Sequence, residues 1–367
     1  MNLYIAGGCG EHGRNCFMVS DVSSCFLVDC GIMAEDKEGF PRLSKLQIQN
    51  IQCVFLTHSH ADHSGALHWL AEQGFKGDVI ATDETLAQLP FSVENSVSLE
   101  SLSTCNKAKY KNICIEWGRS GHCVGSVWYH FFLGNKSILF SGDYTENTQI
   151  YAVDEISNRT ADLAVLDCAY GKDIRTYEED CGDFLFTVRE NIQQHIPTML
   201  PIPKYGRGLE LLKLITDNIP GIRCLGDEHF MSQLGIMKKQ KYWFREGSLQ
   251  ENIISVYQEN IEYDILFISN PQLKNESEKK LAEEVLLKNG MGIMSGTVEK
   301  NTYSYELIQL GKMKMRRYPV HQNYKQYMSL CGKNSFLKTI AYHTSDFDYL
   351  YINHLEKSIL QGRTRCL

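Results

Sequence analysis

The stretch Phe55–Trp69, FLTHSHADHSGALHW, places four histidines and an aspartate within a few residues of an apolar run. The run before it, QCVFLT, has the short, β-branched and aromatic character of a buried strand. His58, His60, Asp62 and His63 then spell HxHxDH where the strand stops. At a strand end the backbone is free to turn, so neighbouring side chains can converge on one point. Imidazole suits zinc, and a carboxylate can bind or bridge it. His68 falls in ALHWLAEQG, which has helical spacing and a terminal Gly, and reads as an ordinary helix residue.

A catalytic zinc takes about three protein ligands and a water. Two metals sharing one carboxylate need more donors than HxHxDH supplies. Three further residues sit where strands are expected to end. His122 lies in SGHCVGS, Asp143 ends SILFSGD, and His343 ends FLKTIAYH. Each alone is more often structural; beside HxHxDH each becomes a ligand candidate.

One other pattern invites a different reading. Gly8-Cys9-Gly10-Glu11-His12-Gly13 matches GxGxxG, with Asp29 further on. Dinucleotide binding requires a helix after the glycines. RNCFMVS follows instead and is β-like, so a tight turn between two strands is expected.

The chain has 367 residues, 43% hydrophobic and 22% charged, as in folded proteins of about two domains. The opening MNLYIAGGCGEHGRN lacks the features of a signal peptide. No apolar run reaches the length of a membrane span, so no membrane association and a cytoplasmic location are expected. The 13 cysteines are scattered without a CxxC pair and read as buried thiols in a reducing compartment. The net charge of −7 argues against a broadly basic surface that coats nucleic acid. It leaves room for a local channel in which metal cations meet phosphate.

Short strands dominate up to about Gly171. From Lys172 strands and helices alternate, through YEEDCGDFLFTVRENIQQH, PTMLPIP, GRGLELLKLITDN, YDILFISNP, SEKKLAEEVLLKNG and GIMSG. That alternation predicts a parallel α/β sheet. The last fifty residues return to short elements, so the middle of the chain reads as an insertion.

The order of these motifs resembles the metallo-β-lactamase fold, an αββα sandwich. The resemblance implies one metal held by His58, His60 and His122, a second by Asp62, His63 and His343, and Asp143 bridging them. Asp29, in LVDCG, matches an aspartate that supports the ligand histidines from behind. The implied cofactor is two Zn2+ per chain, with Mn2+ served by the same ligand types. The segment between Tyr170 and Tyr318 resembles the α/β insertion of the β-CASP branch, which acts on RNA and DNA. The fold class expected is therefore α/β: residues 1–171 and 319–367 form the sandwich, and 172–318 the inserted β-CASP domain.

The β-CASP resemblance is carried by Asp167 in VLDCAYG, by PKYGRGLELL, by IMSGTVEKNT and by His321 in YPVHQNYKQ. The opening GGCGEHGRN is similar to that of the ribonuclease J group. The sequence departs from the branch at VHQN, which lacks small residues beside His321, and at TSDF after His343. About two dozen residues follow His343, so the C-terminal domain of ribonuclease J is not expected.

What this implies is a zinc-dependent nuclease that hydrolyses phosphodiesters with metal-activated water. His321 is the expected general acid, Asp167 orients it, and Asp62 belongs to the catalytic set. Arg207, Ser269 and Ser295 are candidate substrate contacts in the insertion. The basic run Lys312–Pro319 could steer nucleic acid or be a solvated face. RNA is the expected partner, with DNA and a homodimer left open. Two other classes stay open: a hydrolase of small esters, lactones or cyclic phosphates, and a nucleic-acid-binding scaffold with little activity.

Overall fold

The computed structural model describes residues 1–33, 38–248, 254–347 and 364–366. The chain forms two compact units. The first holds Met1–Glu146, Val153–Ile174 and His321–Leu367; the second holds Asn147–Ala152 and Arg175–Val320.

The first unit contains two stacked sheets. One has the strand order Thr364–Cys366, Asn2–Gly7, Cys16–Ser20, Cys25–Val28, Cys53–Phe55, Asp78–Ala81 and Ser96–Ser98. The other runs Thr339–Tyr342, Leu163–Asp167, Lys136–Phe140, Val127–Leu133, Ile113–Arg119 and Lys107–Tyr110. Alternation along the strands sends aromatic rings from both sheets into the space between them. Phe17 meets Phe140 and Tyr342, Phe26 meets Phe131, and Phe55 meets Tyr129 and Phe131, with ring centroids 4.8–5.7 Å apart. On the opposite face of the same strand, Trp128 packs with Leu139, Leu166, Tyr327 and Leu330. Tyr327 and Leu330 belong to the helix Tyr324–Gly332, which covers the second sheet. Ile48, Leu67 and Leu70, from the helices Lys45–Asn50 and Leu67–Glu72, cover the first sheet over Leu27, Val54 and Val79. The layers are therefore helix, sheet, sheet, helix, the αββα order.

Strand direction decides where functional residues gather. Cys25–Val28, Cys53–Phe55 and Asp78–Ala81 are parallel neighbours in the first sheet. Lys136–Phe140, Leu163–Asp167 and Thr339–Tyr342 are parallel neighbours in the second. Carboxyl ends of parallel strands share one edge, and the residues leaving those ends become neighbours in space. Asp29, His58, Asp143, Asp167 and His343 all leave or occupy such ends.

GxGxxG forms the turn between Asn2–Gly7 and Cys16–Ser20, antiparallel neighbours, and no helix follows it. That turn and the loop after Cys25–Val28 together hold the HxHxDH segment in place. Asn15 N–H donates to the carbonyl of Asp62 at 2.8 Å, and Cys30 N–H to that of His63 at 2.7 Å. Gly31 lies against the same backbone: a Cβ built there would sit 1.6 Å from the Asp62 carbonyl oxygen.

The second unit holds a six-stranded, wholly parallel sheet. Its order is Ile254–Val256, Cys224–Gly226, Ile265–Ile268, Thr198–Pro201, Met291–Met294 and Met313–Met315. Fully buried strands such as Ile265–Ile268 explain the unbroken apolar runs in the sequence. Two of its helices start on side-chain caps: Thr176 with Glu179 forms a capping box before Tyr177–Gln193, and Asp227 caps Glu228–Lys239.

The short segment Asn147–Ala152 joins this unit through Glu210, a buried residue of the helix Arg207–Asn218. The Glu210 carboxylate accepts from the Thr148 hydroxyl, from the N–H groups of Gln149 and Ile150 at 3.0 and 3.1 Å, and from the Tyr318 hydroxyl at 2.8 Å.

Gly31→Ala is predicted to displace the Asp62–His63 backbone, because the clash is with main chain and not with a flexible side chain. Bound metal, measured by atomic emission, should fall to less than half of the wild-type amount, and the melting temperature should drop. Wild-type values for both would show that the close approach is not needed.

Candidate metal centre

His58 follows the strand Cys53–Phe55 by three residues, and His60 is the residue before the short helix Ala61–Ser64 that carries Asp62 and His63. His122 sits in the loop between Ile113–Arg119 and Val127–Leu133, Asp143 follows Lys136–Phe140, and His343 follows Thr339–Tyr342. The fold brings their donor atoms together in overlapping groups. One is His58, His60, His122 and Asp143; another is Asp62, His63, Asp143 and His343; a third is Asp143, Asp167, His321 and His343. Within each group the donor atoms lie within 4.8 Å of one another.

Asp143 belongs to all three groups, and its two oxygens face different ways. Oδ2 lies 3.5 Å from His58 Nε2 and 3.6 Å from His122 Nε2. Oδ1 lies 3.1 Å from His63 Nε2 and 3.2 Å from His343 Nδ1. His343 Nε2 is 3.1 Å from Asp62 Oδ2, and His60 Nδ1 is 3.2 Å from His122 Nε2. Two nitrogens bound to one tetrahedral zinc at about 2.0–2.1 Å stand roughly 3.3 Å apart. The observed nitrogen spacing matches that value.

Residues behind the donors set their orientation. Asp29 accepts from Thr57 N–H at 2.7 Å and from the Thr57 hydroxyl at 2.9 Å. Its Oδ2 also lies 2.7 Å from His63 Nδ1, which turns His63 Nε2 towards Asp143. The Thr57 hydroxyl, already donating to Asp29, accepts from His58 Nδ1 at 3.1 Å. His58 Nε2 is then left buried with no hydrogen-bond partner. Such an orphan costs free energy unless something coordinates it. Asp29 and His343 both adopt left-handed backbone, with φ of 60° and 67°, a conformation that non-glycine residues hold only when their surroundings impose it.

The electrostatics of the cluster are those of a site built for cations. Burial opposes ionisation of Asp62, but His63 and the bond to His343 hold its carboxyl well below the usual range. Burial also opposes ionisation of Asp143, and His63, His343 and His321 likewise hold it down. Burial and the nearby His63 push His58 well below the ordinary imidazole value. In His63 and His343 burial is overcome by Asp143, with Asp29 or Asp62 adding to it, and His343 rises to about 10. Without metal, protons on these two rings balance the buried carboxylates. The donor set, its spacing, the orphaned nitrogen and this negative field all fit a metal site.

His321 lies beside the cluster. Its Nδ1 is 3.1 Å from Asp167 Oδ2, and its ring stands edge-on to Tyr170 at 5.5 Å. Asp167 is wholly buried; its Oδ2 accepts from Tyr144 N–H at 3.1 Å and its Oδ1 from Ala169 N–H at 3.0 Å. Held on both oxygens, Asp167 fixes the His321 ring with Nδ1 as donor, leaving Nε2 as the other ring nitrogen.

His68 is exposed and pairs with Glu72 one helical turn on, at 3.2 Å. In the second unit Ser269 donates its hydroxyl to Asp227 at 2.8 Å. The Ser295 hydroxyl is buried and makes no hydrogen bond among the described residues. Arg207 opens the helix Arg207–Asn218, with its guanidinium against Gly296. In the basic run, Arg316 donates to the Thr187 hydroxyl at 2.7 Å and Arg317 pairs with Asp180 at 2.7 Å, so both are tied into their own unit. Thr57 and Gly31 carry parts that motif reading does not assign. Thr57 adjoins His58 and its type suits buried hydrogen bonding; nothing local marks Gly31.

No helix among the described residues is long and apolar enough to cross a membrane. Residues 9–182 match the family described as the metallo-beta-lactamase superfamily. The chain is 25% identical over 249 residues to transcription termination factor FttA of Cenarchaeum symbiosum, covering 59% of this chain and 39% of that protein. It is 25% identical over 235 residues to cleavage and polyadenylation specificity factor 73 of Drosophila melanogaster, covering 56% and 34%. Over a longer stretch of 323 residues it is 23% identical to probable RNase MJ4 of Methanocaldococcus jannaschii, covering 79% and 71%. The chain thus spans only about two fifths and one third of the first two relatives. A crystal structure of a protein of unknown function from Enterococcus faecalis V583 has the same fold over 100% of this chain and 99% of its own, with TM-score 0.64 and 12% identity. Fold, site geometry and the match over residues 9–182 agree: the first unit has the metallo-beta-lactamase fold, and the second unit is an α/β body built on a parallel sheet.

Proposed function

We propose that this protein is a zinc-dependent nuclease that hydrolyses phosphodiester bonds, with RNA as substrate. The observation that carries the reading is the Asp167–His321 pair, fixed beside an Asp143 that turns one oxygen to each of two donor groups. The relatives support the substrate class, since they are named as a transcription termination factor, a cleavage and polyadenylation specificity factor and a probable RNase.

In this reading His58, His60 and His122 would hold one metal, Asp62, His63 and His343 would hold the other, and Asp143 would serve both. Such a pair, when bound, supplies a water acidified to near neutrality and positive charge to meet the phosphate. The remaining work falls to the chain. Asp29 and Thr57 keep His63 and His58 presenting Nε2. Asp167 holds His321 by Nδ1, so that Nε2 can deliver a proton to the leaving oxygen. Arg207 would meet a backbone phosphate as a positive charge, and Ser295 and Ser269 would be further substrate contacts of the second unit.

The decisive test is incubation of the metal-loaded protein with end-labelled RNA, end-labelled DNA and bis(4-nitrophenyl) phosphate. Cleavage of RNA in preference to DNA is expected, at two zinc per chain by atomic emission. Turnover of the small ester alone would favour a small-molecule hydrolase instead. Binding of RNA with no turnover of anything would favour a scaffold.

His321→Ala should retain both metals and lose about 10²–10⁴-fold in kcat on RNA, the usual worth of a positioned general acid. Asp143→Ala should lose metal from both groups. A His321→Ala enzyme within threefold of wild type would remove His321 from the proton transfer.

Metal binding must displace the protons that His63 and His343 carry in the metal-free protein. For His343 the sign follows from its raised value. Its contribution to metal-free stability is complete below the unfolded imidazole range near 6.5 and is lost as pH rises through about 10. The chelated protein should therefore melt progressively lower from pH 7 to 10, and His343→Ala should flatten that slope. An unchanged slope in the variant would show that His343 is not the group responsible.

A further inference from the structure

The GxGxxG turn is not a nucleotide loop, yet its construction is more elaborate than a connection requires. Gly8, Gly10 and Gly13 all adopt left-handed backbone, with φ of 90°, 73° and 90°. One side of the turn is pinned by Glu11. Its carboxylate accepts from Gly8 N–H at 3.2 Å, from Arg14 Nε and Nη2 at 2.8 and 2.7 Å, and from Arg42 Nη2 at 3.0 Å. The other side is stitched to the strand end that carries a donor: His343 N–H donates to the Gly8 carbonyl at 2.6 Å, and Cys9 forms a parallel bridge with Thr344.

Between the pinned Glu11 and the left-handed Gly13 stands His12, whose side chain is exposed. Its ring lies edge-on to that of His343, centroids 5.9 Å apart. Its electrostatic neighbours are His343, His321, Asp62 and Asp346, three of them members of the donor groups. The loop is held by Glu11 and the glycines, so His12 is not needed to hold it. The fold places an exposed imidazole beside His343, outside each donor group.

We propose that His12 is a substrate-contact residue, whose imidazole N–H donates to an oxygen of the nucleic-acid phosphate adjoining the scissile one, on the His343 side. This rests on the nuclease reading above. The pinned backbone sets where the His12 side chain begins, so only its two side-chain torsions remain to be ordered when the hydrogen bond forms. The contact belongs to a polymer: a small ester with a single phosphate has no adjoining group to offer.

The test compares zinc-loaded wild type, His12→Ala and His12→Gln on an RNA oligonucleotide and on bis(4-nitrophenyl) phosphate, with zinc content measured on each. His12→Ala should raise KM for RNA roughly tenfold, as expected for one hydrogen bond to a charged group, while kcat falls less than about threefold. His12→Gln retains an N–H donor and should recover most of that KM. KM for the small ester should change less than about twofold in either variant. A KM for RNA unchanged in His12→Ala overturns the proposal. So does an equal rise for the small ester, a Gln variant no better than Ala, or a loss of zinc that would make His12 a ligand. Turnover of the small ester but not of RNA by wild type sinks the nuclease reading itself, and the contact falls with it.

Discussion

The buried carboxylate of Asp143 is the constraint around which the first unit is arranged. It is 2% exposed and lies within 3.7 Å of nitrogens from five histidines. A charge placed there without compensation would cost several kcal/mol. The fold supplies compensation from parallel strand ends drawn from both sheets, and from the His122 loop between two antiparallel strands. In the metal-free state protons on His63 and His343 do part of that work; cations would do it better. The requirement accounts for the left-handed backbone at Asp29 and His343. Both residues give up ordinary backbone geometry to bring a side chain to the shared edge.

Support for the donors comes from hydrogen bonds that fix which ring nitrogen is presented. Asp29 is tied to Thr57 by two bonds before it reaches His63, and Asp167 is tied to two backbone N–H groups before it reaches His321. In each case a carboxylate is immobilised first and then orders a ring. This pre-ordering means that little rearrangement is needed when metal or substrate arrives.

In the second unit another buried carboxylate, Glu210, serves a structural end. It gathers the 147–152 segment and Tyr318 by accepting donors from both. Residues far apart in the chain are thereby made one unit, including the segment that follows Asp143 by only a few residues. Asn147–Ala152 therefore belongs with Arg175–Val320, while the residues on either side of it belong to the first unit.

Much of the site was legible in the chain because donor chemistry is local. HxHxDH announces itself by residue type and spacing. His122, Asp143, Asp167 and His343 could be picked out because each stands at or near the end of an apolar run, and His321 because it follows the insertion. The alternation of strands and helices after Lys172 likewise predicts the parallel sheet, since a buried strand and an amphipathic helix each leave their own period. The sequence by itself therefore determined the layered architecture and the candidate donors. It could not determine which oxygen of Asp143 faces which histidine, that Gly31 abuts the Asp62 backbone, that Glu210 captures residues 147–152, or that His12 stands beside His343. Those relations join residues tens to hundreds of positions apart. They depend on strand direction and register, which only the closed pair of sheets decides.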